Sequence, residues 1–189
     1  RGVAALIVTY NAPLPNFAWK VFPAVMAGNT AILKPSPANP QSAETFREIL
    51  REAGVPDDVL QVVHGEGDTA AALIDSGVEL VSFTGSYSTG QKVVEASAKT
   101  LAKTIVELGG ANPIIVCADA DLDRAADAVL DSAFSNAGQR CSSGSRIIIE
   151  DSAYDSFRER LLAKAESVSW GTEDDVLVST LIDHTSVEH

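Results

Sequence analysis

The chain of 189 residues carries 14 basic and 26 acidic side chains, a formal net charge of −12, and 46% of its residues are hydrophobic. This composition suits one or two globular domains and argues against intrinsic disorder. The acidic charge argues against binding to nucleic acid or to an anionic membrane, and no run of about 18 apolar residues predicts a membrane-spanning helix. Two cysteines are too few for a disulfide framework and favour a cytoplasmic location.

Strand and helix patterns alternate along the chain, which predicts βαβ units, a parallel sheet and the α/β fold class. Apolar, β-branched runs predict strands at residues 3–8, 31–33, 59–64, 80–83, 104–107, 113–117 and 146–150. Helical periodicity with proline and glycine signals predicts helices at residues 13–26, 40–53, 68–76, 88–99, 122–137 and 152–168. The segment Gly109-Gly110-Ala111-Asn112 is the one plausible seam, and the segment from Ser169 has only weak periodicity.

Two glycine-containing turns each follow a predicted strand and open a predicted helix, which is where α/β proteins bind phosphates. The turn at 65–70 has the GxGxxA spacing of a dinucleotide fingerprint, although Glu66 and Asp68 would repel a phosphate. An ordinary tight turn is an equally good interpretation. The turn at 83–90 is uncharged and rich in hydroxyl groups, so it is the better phosphate site, and its serines would also cap the helix.

Lys34 stands at the end of a predicted strand and is followed by Pro35 and Ser36. Because the carboxyl ends of strands line the ligand crevice of open α/β sheets, a lysine there can bind ribose hydroxyls or a phosphate. A solvated lysine is the alternative that this local pattern favours.

The two cysteines lie in contrasting contexts. Cys141 lies between a predicted helix and a strand, among small polar residues and next to Arg140, whose charge favours the reactive thiolate. Cys117 ends an apolar strand and is predicted to be buried and inert. Glu107 ends another apolar strand before the glycine pair, so partial burial would fit its carboxylate for general base catalysis. A turn-capping acid is the alternative for Glu107.

No metal site is predicted from the sequence. The acidic run at 119–123 has the initial spacing of a calcium loop but lacks the later glycine and glutamate, and it fits a helix N-terminus better. His64, His184 and His189 are scattered, and none stands at ligand spacing from a cysteine or a carboxylate. His64 stays open as a partner for a catalytic cysteine.

Taken in order, five short motifs resemble the aldehyde dehydrogenase superfamily. They are Thr9-Tyr10-Asn11-Ala12-Pro13-Leu14, Gly28-Asn29 through Lys34-Pro35-Ser36, Phe83-Thr84-Gly85-Ser86, Glu107-Leu108-Gly109-Gly110 and Gly138-Gln139-Arg140-Cys141. The resemblance implies a Rossmann-like coenzyme domain, present in part as residues 1–110, that continues into the start of an α/β catalytic domain at residues 111–189. It also implies a partial chain of a longer enzyme that forms a homo-oligomer.

The resemblance implies that the enzyme oxidises a small-molecule aldehyde to a carboxylic acid with NAD or NADP. Cys141 would be the nucleophile, Asn11 would donate to the oxyanion, and Glu107 would activate the water that releases the acid from a thioester. The implied cofactor contacts are Lys34, Ser36, Gly65, Gly85, Ser86 and Leu108.

Two departures from the family pattern bear on specificity. Pro37 stands where NAD-preferring relatives often carry an acid, which makes NADP use plausible, and Tyr10 replaces a common tryptophan. The variant resembles branches that act on small hydroxy- or phospho-aldehydes, so Arg140 would contact an anionic substrate group. A purely local role for Arg140 is the alternative.

Two other functions stay open at this point. A CoA-acylating relative would pass the acyl group to CoA instead of water, although such relatives usually lack a base at the position of Glu107. A non-catalytic module that retains the fold is the second, and a selectively reactive Cys141 would distinguish an enzyme from it.

Overall fold

The structure, a computed structural model, describes residues 2–187 of the chain. The chain divides into two compact units, Arg1–Gly109 and Gly110–His189. His189, one of the three histidines considered as metal ligands, lies outside the described residues. Within residues 2–187, none of the helices has the length and hydrophobicity needed to cross a lipid bilayer.

The first unit alternates strands and helices, as the sequence pattern predicts. In chain order its elements are β1 (Val3–Ile7), α1 (Pro13–Met26), β2 (Thr30–Lys34), α2 (Pro40–Glu52), β3 (Leu60–Val62), α3 (Gly67–Asp75), β4 (Leu80–Gly85), α4 (Tyr87–Thr100) and β5 (Lys103–Leu108). The strands form one sheet in the order β3-β2-β1-β4-β5, and all of these neighbours are parallel. The predicted α/β class with a parallel sheet is therefore confirmed.

Strand β1 lies at the centre of this sheet and is covered on both faces. Ala4 and Leu6 belong to a buried cluster with residues of α1 and α2. Ala5 and Ile7 point to the opposite face and pack with residues of α3 and α4. Burial on two faces explains why this segment is an unbroken apolar run rather than an alternating one.

The order of the strands creates a crevice at the centre of the sheet. From β1 the chain moves outward through β2 and β3, and it then returns to pair β4 with the other side of β1. The connections after β1 and β4 therefore diverge at the carboxyl edge of the sheet. In open α/β sheets this switch point is where ligands bind.

The second unit contains a smaller parallel pair of strands. Its elements are β6 (Asn112–Val116), α5 (Leu122–Phe134), β7 (Gly144–Ile149) and α6 (Tyr154–Ala165), with short 3-10 turns at Ser135–Gly138, Asp151–Ala153 and His184–Val187. Strands β6 and β7 pair in parallel, and a buried cluster that includes Val116, Val129 and Phe157 joins them to α5 and α6. The segment after Ser169 contributes an isolated bridge between Trp170 and Val178.

Three predicted elements differ clearly from the structure, among them α6, which spans Tyr154–Ala165 instead of 152–168. Strand β3 has three residues instead of the six predicted, because regular pairing with β2 stops at Val62. Helix α5 ends at Phe134 and not at Ala137, because Asn136 and Ala137 adopt left-handed backbone angles, with φ of 55° and 53°. These conformations are incompatible with a continuing right-handed helix.

Candidate functional site

A cleft of about 620 Å³ lies at the carboxyl edge of the first unit's sheet. The ends of β1, β2 and β4 line it, together with one side of α3 and one side of α4. Among the predicted cofactor contacts, Lys34, Ser36, Gly85 and Ser86 all line this cleft. Because parallel strands share one carboxyl edge, the sheet brings together residues that are about fifty positions apart in the sequence.

Lys34 is the last residue of β2 and is buried, with only 4% of its surface exposed. Its Nζ donates to the carbonyl oxygen of Pro35 at 3.2 Å. Burial lowers the pKa of Lys34, and the carboxylates of Glu66 and Asp68 partly oppose this change. The alternative of a solvated lysine is therefore wrong, since Lys34 is a buried cation with two acids nearby.

The turn between β4 and α4 provides the other wall of the cleft. A Cβ added to Gly85 would lie 2.4 Å from Cζ of Phe83, so the backbone passes too close to this ring for a side chain. Ser86 is the N-cap of α4, because its Oγ accepts from the Thr89 amide at 3.3 Å. The remaining N–H groups of the first helical turn are the donors that an anionic ligand would use.

Gly65 and Leu108, the other predicted cofactor contacts, are absent from the described lining of the cleft. Gly65 has a φ of +143°, and an added Cβ would lie 1.9 Å from Oγ1 of Thr69, so the turn itself requires glycine. Its neighbours Glu66 and Gly67 do line the cleft. Leu108 packs against α4, since a Cβ on Gly90 would lie 2.5 Å from Leu108 Cδ2.

Asn11 follows β1 at the same edge of the sheet and is half-buried. The Nδ2 atom of Asn39 donates to the carbonyl oxygen of the preceding residue, Tyr10, at 3.0 Å and so helps to hold this turn. Asn39 is the N-cap residue of α2, but its side chain makes no capping hydrogen bond there.

Glu107 lies in β5, next to β4, where its register partner is Thr84. It is exposed rather than partly buried, so the expectation of partial burial is wrong for the described chain. The reason is the position of β5 at the edge of the sheet, where its residues alternate between exposed and half-buried. Strands β1 and β5 run parallel. Asn11, which follows β1, and Glu107, near the end of β5, therefore both lie towards the carboxyl edge of the sheet.

Lys20 is a candidate functional residue that the sequence analysis missed. Its Nζ donates to Oγ of Ser82 at 2.7 Å. Burial lowers the pKa of Lys20 to about 8, and the negative charge of Glu107 partly opposes this effect. The signal was present in the sequence, because Lys20 stands on the helical stripe of α1 that also carries the buried residues Phe17, Val21 and Ala24.

Cys141 belongs to the second unit, in the loop between the 3-10 turn Ser135–Gly138 and β7, and it is exposed. The loop follows three consecutive residues with positive φ, at 136–138. Left-handed non-glycine residues concentrate at functional sites, where the surrounding structure holds them. Nε2 of Gln139 donates to the carbonyl oxygen of Asn136 at 3.1 Å, and its Oε1 accepts from the Ile182 amide at 3.0 Å.

Cys117 corrects one prediction, because it is exposed and not buried. Strand β6 ends at Val116, which is buried, and Cys117 is the first residue of the turn that follows. Both thiols are therefore accessible in the described structure, and exposure alone does not distinguish them. Arg140 is also exposed beside Cys141.

No group of three or more metal-binding side chains is found among the described residues. His64 pairs with an acid on α2, with 2.7 Å between its Nε2 and Oε1 of Glu44. This contact joins α2 to the loop after β3 on an exposed part of the surface.

Comparison with known proteins places this arrangement in a family. Residues 1–189 match the model of the aldehyde dehydrogenase family. The chain is 40% identical over 186 residues to betaine aldehyde dehydrogenase from Bacillus subtilis, covering 94% of this chain and 38% of that protein. The chain therefore belongs to the aldehyde dehydrogenase family, as its five motifs predicted.

Solved structures agree with this assignment. An NAD-dependent aldehyde dehydrogenase from Sinorhizobium meliloti matches with a TM-score of 0.94 and 38% identity, over 98% of this chain and 38% of that one. Betaine aldehyde dehydrogenase from Staphylococcus aureus, solved in complex with NAD⁺, matches with a TM-score of 0.92 and 32% identity, over 97% of this chain and 37% of that one. The chain thus spans less than two fifths of the length of these relatives.

Proposed function

We propose that this protein acts as an NAD(P)-dependent aldehyde dehydrogenase that oxidises an aldehyde to a carboxylic acid through a thioester on Cys141. The observation that supports this most directly is the exposed thiol of Cys141 on a loop with strained backbone angles. Family membership supports the reaction class, and related structures that are NAD-dependent or hold NAD⁺ support the cofactor.

We assign residues 1–110 to part of the dinucleotide-binding domain and residues 111–189 to the start of the catalytic domain. The five-stranded parallel sheet with a cleft at its switch point supports the first assignment. The position of Cys141 in the second unit supports the other.

The cleft of the first unit suits a dinucleotide on three grounds. Gly85 lines the cleft without a side chain, because a Cβ there would meet the ring of Phe83, and the first turn of α4, with its N–H donors, begins two residues later. Lys34 offers a buried cation for a ribose or a phosphate, and Ser36 lines the same wall. We infer that Gly65 and Leu108 act indirectly, by shaping the turn before α3 and by packing against α4.

A bound nicotinamide cofactor would supply the hydride acceptor for the oxidation. The choice between NAD and NADP rests on the charges around Lys34. Pro37 contributes no carboxylate that would repel a 2′-phosphate, which favours tolerance of NADP. Glu66 also lines the cleft, and together with Asp68 it reduces the attraction that Lys34 offers to an additional phosphate.

The covalent chemistry begins at Cys141. Its thiolate attacks the aldehyde carbonyl carbon and forms a tetrahedral thiohemiacetal, in which the carbonyl oxygen becomes an oxyanion. The side-chain amide of Asn11 and the backbone N–H of Cys141 donate to this oxygen, and each such donor contributes roughly 3–4 kcal/mol to lowering the barrier. Oxidation of the adduct then leaves a thioester on the sulfur.

Glu107 completes the cycle by removing a proton from the water that attacks the thioester, which releases the acid and restores the thiol. Its exposed carboxylate at the end of β5 supports access to water. The presence of a carboxylate at this position argues against transfer of the acyl group to CoA.

The substrate we propose is a small aldehyde, with the exposed guanidinium of Arg140 able to hold an anionic substituent. The net charge of −12 argues against nucleic acid and membrane surfaces as partners. We further propose a cytoplasmic homo-oligomer for the whole enzyme.

Selective alkylation of the thiols tests the proposal. With limiting iodoacetamide, Cys141 should be labelled before Cys117, and peptide mass mapping measures the ratio directly. The variants Cys117→Ser and Cys141→Ser serve as matched controls, because each leaves one thiol. Preferential labelling of Cys117 would remove Cys141 as the nucleophile, and equal labelling would favour a non-catalytic module.

A further inference from the structure

One side chain ties the loop of Cys141 to the first strand of its unit. The Nδ2 atom of Asn112 donates to the carbonyl oxygen of Cys141 at 2.7 Å and to that of Ser143 at 3.0 Å. Asn112 is the first residue of β6 and is half-buried. The contacts join parts of the chain that are 29 and 31 residues apart in the sequence.

The two hydrogen bonds hold the backbone carbonyls on either side of the Ser142–Ser143 peptide, directly after the cysteine. Carbonyl oxygens at 141 and 143 lie in the loop before β7, where the ladder with β6 has a register irregularity between Asn112 and Pro113. No strand pairing fixes the orientation of Cys141. The carboxamide of Asn112 provides hydrogen bonds to this backbone in place of those of the ladder. Because the peptide group after Cys141 is planar and includes its Cα, fixing this carbonyl also restricts where the Cα of Cys141 can move.

A carboxamide is well suited to this task. Its terminal NH₂ group has two hydrogens and can donate to two carbonyl oxygens at once, whereas a carboxylate of the same shape has only acceptors. An aspartate at this position would therefore place negative oxygen atoms against two carbonyl oxygens. Alanine would leave both carbonyls without this donor.

We propose that Asn112 is a positioning residue that orients the thiol of Cys141 by binding the carbonyl groups of Cys141 and Ser143. The proposal rests on the function proposed above, because it gives Asn112 its importance through the nucleophile. Asn112 itself touches no reacting atom in this assignment. Its substitution should therefore change the reactivity of one thiol and leave the other unchanged.

The test compares alkylation rates of Cys141 and Cys117 in the same chain. Iodoacetamide labelling of the wild type, Asn112→Ala and Asn29→Ala gives one rate for each thiol by peptide mass mapping. Asn29 is a matched control, because its Nδ2 also donates to a backbone carbonyl, that of Ala24 at 3.0 Å, in the first unit. Asn112→Ala should slow Cys141 at least threefold with Cys117 unchanged, and Asn29→Ala should affect neither thiol.

A smaller change than threefold at Cys141 in Asn112→Ala overturns the proposal while leaving Cys141 as the nucleophile. If Cys141 reacts no faster than Cys117 in the wild type, the proposed function itself is contradicted. The proposed role of Asn112 is then contradicted as well, because it depends on that function. The two failures are thus distinguishable from one set of labelled peptides.

Asn112→Asp keeps the test decisive if the alanine variant unfolds, which the absence of a cooperative transition in chemical denaturation would reveal. The aspartate preserves side-chain volume and removes the donors, and the same threefold criterion applies to its rate at the high-pH plateau of the alkylation profile, where the added charge no longer controls the amount of thiolate. Its charge should also move the midpoint of the Cys141 alkylation profile to higher pH, because an adjacent anion disfavours the thiolate. An unmoved profile with an unchanged rate would reduce Asn112 to a structural role.

Discussion

The two units hold their candidate reactive groups in different ways. In the first unit Lys34 and Glu107 are strand residues, positioned by the hydrogen-bond ladders of a five-stranded sheet. In the second unit Cys141 lies outside the ladder, in a loop held by left-handed residues and by the side chain of Asn112. A ladder positions a group through many backbone bonds, whereas a loop depends on a few specific side chains.

The coverage of the two sheets differs as well. Helices lie on both faces of the first unit's sheet, where β1 is almost fully buried. In the second unit Ile115 and Ile148 face each other across β6 and β7, and they are 69% and 49% exposed. We therefore expect substitutions at the first site to alter chemistry more than stability and substitutions around the second loop to alter both.

The largest expected effect comes from Glu107→Gln, which keeps size and hydrogen bonding but removes the base. In the active enzyme, turnover should fall at least a hundredfold, the lower end of what a general base contributes. A pre-steady-state burst of reduced cofactor should survive, because the thioester still forms. The melting temperature should change little, since Glu107 is exposed on an edge strand.

Glu95→Gln is the control for this measurement, because Glu95 is an exposed acid on α4 that does not line the cleft. It should keep both burst and turnover. Loss of the burst together with turnover in Glu107→Gln would instead assign Glu107 to activation of the thiol.

Gly144→Ala examines the second unit, with a smaller effect that falls on stability. An added Cβ would lie 2.4 Å from Cδ1 of Ile114 and 3.2 Å from Oγ of Ser132, which accepts from the Gly144 amide. We expect the free energy of unfolding to fall by about 1–2 kcal/mol, typical of overpacking that a flexible isoleucine partly relieves. Chemical denaturation measures the change.

Gly109→Ala is the matched control for this substitution, because a Cβ there would meet nothing within 4 Å. It should change stability by less than about 0.5 kcal/mol, as expected for an exposed site. If both glycine variants lose the same stability, the close approach of β6 and β7 is not what requires glycine at 144.

The sequence predicted most of the first unit for physical reasons that are local. Prolines marked the starts of α1 and α2 at Pro13 and Pro40, and apolar runs marked the buried strands. Because parallel strands share one carboxyl edge, the order of the elements alone placed Lys34 and Ser86 at a common cleft. Edge position is not local, which is why the exposure of Glu107 was not foreseen.

The second unit was predicted less completely because its features depend on tertiary contacts. Asn136 tolerates left-handed angles, but Ala137 carries no sequence signal for them, so the predicted helix was extended through both residues. Cys117 was expected to be buried because it follows three apolar residues, yet the strand ends one residue earlier. The partner of Asn112 lies 29 residues away, beyond the reach of any local pattern.

The effect expected at Lys20 is spread over a range of pH, and it makes the electrostatics of the first unit measurable. Burial lowers the pKa of Lys20 from 10.5 to about 8. Between these values the unfolded chain binds a proton at Lys20 that the folded chain does not, so stability rises with pH across this window. Relative to Lys20→Met, the wild type should gain stability from about pH 8 to pH 10.5, and the difference should level off on either side.

The slope has an upper limit of about 1.4 kcal/mol per pH unit for one linked proton, and solvent near this partly buried amine makes it smaller. The measurement is the difference in unfolding free energy between Lys20→Met and wild type at each pH. Because the charge of Glu107 raises the pKa of Lys20, the Glu107→Gln background should start the rise below pH 8. A flat difference in both backgrounds would mean that Lys20 has the same pKa in the folded and the unfolded chain, so that burial does not lower it.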